Sequence, residues 1–150
     1  MNKSHLIFTG SYKNDIHTLK FDPLSNSLQL ISTTTVGYRP SWITFHPHDH
    51  SLVFAVLEQS DGKVITVNYN KEGKGNVVGE VPSGGQDPCS LFATANELAV
   101  ANVRPPLFSH LEAHLGSSRT RNSIRLVQWE YTPSHPRHHI LPKTTQRSPN

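Results

Sequence analysis

Apolar residues along this chain are gathered into short runs, rich in β-branched and aromatic side chains, and each run is cut off by Gly, Pro, Asp or Asn. Residues 41–45 contain Trp42, Ile43 and Phe45 and stop at His46-Pro47. Residues 52–57 are apolar throughout and end at Glu58. Residues 63–69 follow the turn Asp61-Gly62, and residues 76–81 follow the glycines of Glu72-Gly73-Lys74-Gly75. Runs of this length between turn residues read as β-strands. No stretch keeps apolar residues at i, i+3, i+4 and i+7 for the length of a helix. Residues 40–46, 52–57, 63–69 and 76–82 are therefore predicted to form one four-stranded antiparallel meander. Residues 5–9, 16–21 and 28–32 precede it as three further strands, and residues 124–131 read as another.

The strands recur with a period. Gly37-Tyr38-Arg39-Pro40-Ser41-Trp42-Ile43-Thr44-Phe45 is echoed 48 residues on by Gly85-Gln86-Asp87-Pro88-Cys89-Ser90-Leu91-Phe92-Ala93. A weaker echo, Ser134-His135-Pro136-Arg137-His138-His139-Ile140-Leu141, follows after 48 more. Four short strands in a repeat of about 40–50 residues are the signature of a propeller blade. The fold class is all-β, a propeller fragment of four-stranded antiparallel blades. A ring needs at least about four blades, whereas 150 residues hold about three such repeats. The reading is a partial first blade at 5–36, lacking its first strand, a complete second blade at 37–84, and the start of a third at 85–103.

Composition changes the picture after residue 103. Residues 1–103 carry 7 Lys+Arg against 9 Asp+Glu, and residues 104–150 carry 7 against 2. The second segment also holds six of the eleven prolines and only one of the nine glycines. It reads as a divergent, partly irregular basic tail, with 104–123 expected to be irregular or weakly ordered and in little contact with the blades. Its basic residues are scattered and no aromatic platform accompanies them, which argues against nucleic-acid binding. No apolar run approaches the roughly 18 residues that span a bilayer, and the first residues lack a signal-peptide pattern. The single cysteine, Cys89, rules out an internal disulfide framework and fits a cytoplasmic setting. Its place in a strand suggests a buried, inert thiol, and Trp42 is expected in the core.

Several of these stretches, in order, resemble the seven-bladed lactonase family, which includes propeller-type 6-phosphogluconolactonases and a carboxy-cis,cis-muconate cyclase. The resemblance rests on Phe8-Thr9-Gly10-Ser11-Tyr12, on Gly37-Tyr38-Arg39-Pro40-Ser41-Trp42 with Phe54-Ala55-Val56-Leu57-Glu58, and on Ser83-Gly84-Gly85-Gln86-Asp87-Pro88 with Leu98-Ala99-Val100-Ala101-Asn102. It covers residues 5–102. At Val103 the chain departs from the family, running into Arg104-Pro105-Pro106. A truncated or mis-spliced gene product would explain that, and so would a changed loop.

The resemblance implies a relative of a lactone-hydrolysing enzyme or of a muconate lactone cyclase, inactive as this fragment, with a small anionic sugar lactone or muconate-type substrate. The rival reading is a non-catalytic propeller scaffold that binds a protein partner. Opening a lactone takes a base that activates water, donors for the oxyanion, and a cation for the anionic group. The resemblance points to His135 and His138 as candidate catalytic residues. Arg39 and Glu58, at strand boundaries, are candidate substrate-binding residues, since an Arg fork meets carboxylate or phosphate through two hydrogen bonds. His46-Pro47-His48-Asp49-His50 has metal-ligand chemistry but sits in a turn, and a polar turn is the favoured reading. Ser83-Gly84-Gly85 lacks the Lys-Ser/Thr and the helix of a phosphate cradle and reads as an inter-blade turn. No metal or organic cofactor is implied.

Overall fold

The computed structural model describes residues 3–104, 107–114 and 123–128. Among them there are strands and turns and no helix. β1 (His5–Thr9), β2 (Asp15–Asp22) and β3 (Ser27–Thr35) form a three-stranded sheet. β4 (Pro40–Phe45), β5 (Leu52–Leu57), β6 (Lys63–Tyr69) and β7 (Gly75–Pro82) form a four-stranded sheet. β8 (Gln86–Ala93), β9 (Glu97–Arg104), β10 (Leu107–His114) and β11 (Ser123–Gln128) form another. Within each sheet, strands adjacent in sequence pair antiparallel. The predicted meander over 40–82 is the second sheet.

Why the sheets stack is visible in β5. All six of its residues are buried. Successive side chains of a strand point to opposite faces. Val53, Ala55 and Leu57 join Ile16 and Val36 of the first sheet region, with Ile65, Val67 and Tyr69. Phe54 and Val56 join Leu91, Leu98 and Val100 of the third sheet, with Val64 and Val81. A strand apolar on both faces must be covered on both. The second sheet is therefore the middle of three layers.

Each inner strand opens the same way. Arg39 and Asp87 both have left-handed backbone, with φ of 55° and 50°. Each is followed by Pro, and a bulge follows in turn, between Pro40 and Trp42 in β4 and between Pro88 and Ser90 in β8. The N–H of Arg39 donates to Lys13 O at 2.5 Å, and the N–H of Asp87 donates to Gln59 O at 2.9 Å. Each start of an inner strand is thus tied back to the preceding sheet. Gly62 allows the second seam to close, because a Cβ there would lie 2.5 Å from Ser83 Oγ and 2.6 Å from Gly85 O.

Three expectations change. Within 104–123, where the expectation is irregular or weakly ordered chain in little contact with the blades, β10 occupies Leu107–His114 and pairs with β9 from Leu107↔Asn102 to Glu112↔Glu97. The third sheet therefore runs on through β10 and β11, beyond residue 103. Trp42 is 45% exposed rather than core; its Nε1–H donates to Leu91 O at 2.9 Å, bridging β4 to β8. Cys89 is exposed, because it falls at the bulge that follows Pro88, and its Sγ lies 3.6 Å from Ala101 O.

Two outcomes test this packing. Phe54 is fully buried between the second and third sheets. Phe54→Ala is expected to destabilise the chain by about 3–5 kcal/mol, read from urea denaturation. Tyr69 is buried against Phe8, with ring centroids 4.4 Å apart. Burial pushes its hydroxyl above the usual tyrosine range, with a smaller opposing pull from Thr34. Tyr69 Oη makes no hydrogen bond of normal geometry. An acid raised on folding is stable below its unfolded pKa, about 10, and loses stability as pH climbs from there through the folded value. Tyr69→Phe should change stability at neutral pH by less than about 1 kcal/mol and should shift the alkaline unfolding midpoint upward in a pH titration followed by circular dichroism.

Candidate functional site at one end of the sheets

In three stacked meanders, alternate turns gather at the same end. Residues 10–14, 36–39, 58–62 and 83–85 connect strands at one end, and 23–26, 46–51, 70–74 and 94–96 at the other. The first end carries the charges that sequence reasoning singled out.

Arg39 and Glu58 are brought together there. Arg39 Nη2 lies 3.5 Å from Glu58 Oε1, with side chains 32% and 27% exposed. The Glu58 N–H also donates to Arg39 O at 3.0 Å. The Arg39 guanidinium lies 5.0 Å from the centre of the Tyr12 ring and 5.9 Å from that of Tyr38. Both tyrosines are exposed. Arg39 therefore stands where two sheets meet, with Tyr12 supplied by the β1–β2 turn and Glu58 by the end of β5. At the next seam the charges are reversed: Asp87 Oδ2 pairs with Arg104 Nε at 3.4 Å. Gln59, which follows Glu58, accepts the Asp87 N–H. The two ion pairs thus occupy adjacent seams of one rim. Half-exposed pairs of this kind contribute at most about 1 kcal/mol each to stability. Outward of them, a cleft of about 450 Å³ is lined by Asp61, Lys63, Glu80 and the Gly84-Gly85 turn. Its Lys63 Nζ sits 2.7 Å from Glu80, and that hydrogen bond raises the Lys63 pKa.

Two sequence motifs prove structural. Ser83 is fully buried; its hydroxyl lies 2.7 Å from Asn102 Oδ1 and 3.0 Å from Gly85 O, and Asn102 Nδ2 donates back to Ser83 O at 3.3 Å. The Ser83-Gly84-Gly85 stretch is thereby an inter-sheet turn locked to β9. His46 is buried at the opposite end. Its Nδ1 accepts the N–H groups of His48 and Asp49 at 3.3 and 2.9 Å, which leaves the proton on Nε2 to donate to Ala95 O at 3.1 Å. Both ring nitrogens are spent on the turn. At that end the Ser51 hydroxyl and N–H hold Asp49 below the usual carboxylate range.

His135 and His138 lie outside the described residues. Sequence reasoning missed Tyr12 and Tyr38 as partners of Arg39, and missed the second ion pair. The 48-residue offset from Arg39 to Asp87 could have flagged the latter. Tyr12 belongs to a stretch that carries the family resemblance, but nothing in the sequence pairs it with Arg39, which it reaches only because two sheets stack.

Stacked antiparallel meanders, two of them four-stranded and joined by proline-led inner strands, define a β-propeller architecture. The family described as "Lactonase, 7-bladed beta-propeller" matches residues 6–140, and the chain belongs to that family. The match extends past residue 102, where the sequence motifs give out. Two solved structures have the same fold. The "putative 6-phosphogluconolactonase" of Bacteroides fragilis NCTC 9343 is 17% identical, with a TM-score of 0.69 over 91% of this chain and 40% of its own. That of Bacteroides uniformis ATCC 8492 is 16% identical, with a TM-score of 0.68 over 99% of this chain and 54% of its own. The chain thus spans about half or less of the length of these structures. No curated protein matches it.

The left-handed backbone at Arg39 gives a direct test of the seam. A side chain in that conformation costs roughly 1 kcal/mol or more that Gly does not pay. Arg39→Gly is expected to be more stable than Arg39→Ala by about 1 kcal/mol, measured as a difference in urea midpoints. Equal midpoints would show that residue 39 does not hold the left-handed conformation in solution.

Proposed function

We propose that the chain binds a small anionic lactone, or its opened acid, at the Arg39 end of the sheets. In this reading Arg39 holds the carboxylate or phosphate group and Glu58 accepts hydroxyl protons of the same molecule. The observation that carries it is the Arg39–Glu58 pair at the seam, 3.5 Å apart, with side chains 32% and 27% exposed. A loosely paired guanidinium can trade its carboxylate partner for a ligand oxyanion, and in a partly desolvated site that exchange is favourable.

Hydrolysis of a lactone adds water to the carbonyl carbon and breaks the bond from that carbon to the ring oxygen. The ring oxygen leaves as a hydroxyl, and the acid gives up a proton. Some base must take the proton from the water. Among the described residues, the turns that form the Arg39 end contain no histidine. His135 and His138 are the proposed bases. An axial propeller site draws groups from blades around the ring, and this chain spans about half or less of the solved structures it resembles, so the 150-residue chain is proposed to be catalytically silent by itself. A sugar phosphate lactone is the first choice of substrate and a muconate-type lactone the second, because both present an oxyanion to Arg39. A cytoplasmic location is proposed with it, resting on the single cysteine.

Two measurements test this. Binding of 6-phosphogluconate by calorimetry should weaken by at least about tenfold in Arg39→Gln, since charged hydrogen bonds of this kind contribute about 1.5–3 kcal/mol. The chain alone should hydrolyse 6-phosphogluconolactone no faster than buffer does at fixed pH. Turnover by the parent chain that His135→Ala or His138→Ala abolishes would overturn the silent reading. Unchanged affinity in Arg39→Gln would remove Arg39 from the site and leave the scaffold reading standing.

A further inference from the structure

The two inner-strand starts make an internal control. Residues 39 and 87 share the left-handed backbone, the following proline and the N–H bond back to the preceding sheet. Lys13 stands to Arg39 as Gln59 stands to Asp87. The residues before them, Tyr12 and Glu58, are therefore counterparts, and Tyr38 corresponds to Gln86 at the 48-residue offset. At the second seam neither position is aromatic, yet the same turn forms. The fold does not need rings at these two places.

Where the rings do occur, they flank a cation. Tyr12 is 74% exposed and Tyr38 53% exposed, so neither is held by the core. Burial of their own surface does not account for them. Their ring centres lie 5.0 and 5.9 Å from the Arg39 guanidinium carbon, within the range of cation–π attraction. The Arg39 backbone is fixed on both sides, by Lys13 O on its N–H and by the Glu58 N–H on its carbonyl. With backbone and both rings in place, the guanidinium stays 3.5 Å from Glu58 rather than closing onto it.

We propose that Tyr12 and Tyr38 are positioning residues for anion binding, which hold the Arg39 guanidinium by their ring faces so that its N–H groups meet an incoming carboxylate or phosphate. This rests on the reading of Arg39 as the anion-holding residue. The rings act through Arg39 by removing side-chain freedom that ligand binding would otherwise have to remove. They also set a preference for a planar guanidinium over an ammonium at this position, because only the former stacks and donates in a fork.

The test is titration of the full chain with 6-phosphogluconate, followed through the Arg39 Nε–Hε resonance and by calorimetry. Tyr12→Leu with Tyr38→Leu should weaken binding roughly tenfold, the combined effect expected of two cation–π contacts. Tyr12→Leu alone should weaken it less. Tyr12→Phe with Tyr38→Phe should bind within about twofold of the parent, since the ring faces remain. The urea midpoint of the double phenylalanine variant should match the parent and that of the leucine variants should fall only slightly, because both side chains are exposed and the second seam forms without rings. Loss of binding in Arg39→Gln together with parent-like binding in the double leucine variant would overturn this proposal alone. So would a double phenylalanine variant as weak as the leucine one, which would transfer the role to the hydroxyl groups. No binding by the parent, or equal binding by Arg39→Gln, would overturn the reading of the site itself and this proposal with it.

Discussion

Burial on both faces of β5 is the constraint from which the rest of this structure follows. Six consecutive apolar residues cannot be left half solvated, because each fully buried side chain of this size is worth roughly 1.5–3 kcal/mol. Alternation along the strand sends Val53, Ala55 and Leu57 one way and Phe54 and Val56 the other. One strand thereby demands two further sheets. The first answers with Ile16 and the segment through Val36, the third with Leu91, Leu98 and Val100. Stacking sheets in this manner, each a closed meander, is the geometry of propeller blades.

Stacking in turn creates the seams, and the seams create the site. A chain leaving one sheet must turn sharply into the inner strand of the next, and the left-handed residue before each proline makes that turn. Non-glycine residues in this conformation carry strain that the surroundings must hold. Here the surroundings are backbone hydrogen bonds to the preceding sheet and, at the second seam, the buried Ser83–Asn102 pair. The strained positions are also the charged ones. Arg39 and Asp87 project from a rim where backbone geometry is repeated and side-chain chemistry is not, which is how one architecture hosts a local function without altering the fold.

The division between scaffold and chemistry separates the polar motifs as well. The Ser83-Gly84-Gly85 turn and the His46 turn are both rich in groups that could serve a ligand. Both spend those groups internally, on Asn102 and Gly85 in one case and on backbone N–H groups and Ala95 in the other. Arg39 and Glu58 differ in keeping a loose contact and a solvent-facing side. Membership of the lactonase propeller family gives that rim its chemical context.

Much of the architecture was legible in the chain itself. Strands, turns and the 48-residue period depend on local composition: β-branched and aromatic runs, and Gly, Pro, Asp and Asn between them. The sequence placed Arg39 and Glu58 at strand boundaries of one repeat but did not pair them. What composition suggested after residue 103 was less dependable, because a basic, proline-rich composition does not exclude strands that find a partner edge, and β10 and β11 extend the third sheet. Side-chain exposure escaped in the same way. Trp42 and Cys89 look like core residues in a linear string, but bulges after Pro40 and Pro88 reset which way the inner strands face. The sequence by itself determined the strand content, the repeat and the family, all of which rest on interactions between near neighbours. Only the tertiary structure decided which charges meet and that Tyr12 stands over Arg39, because those contacts join residues of different sheets and exist only once β5 has drawn the sheets together.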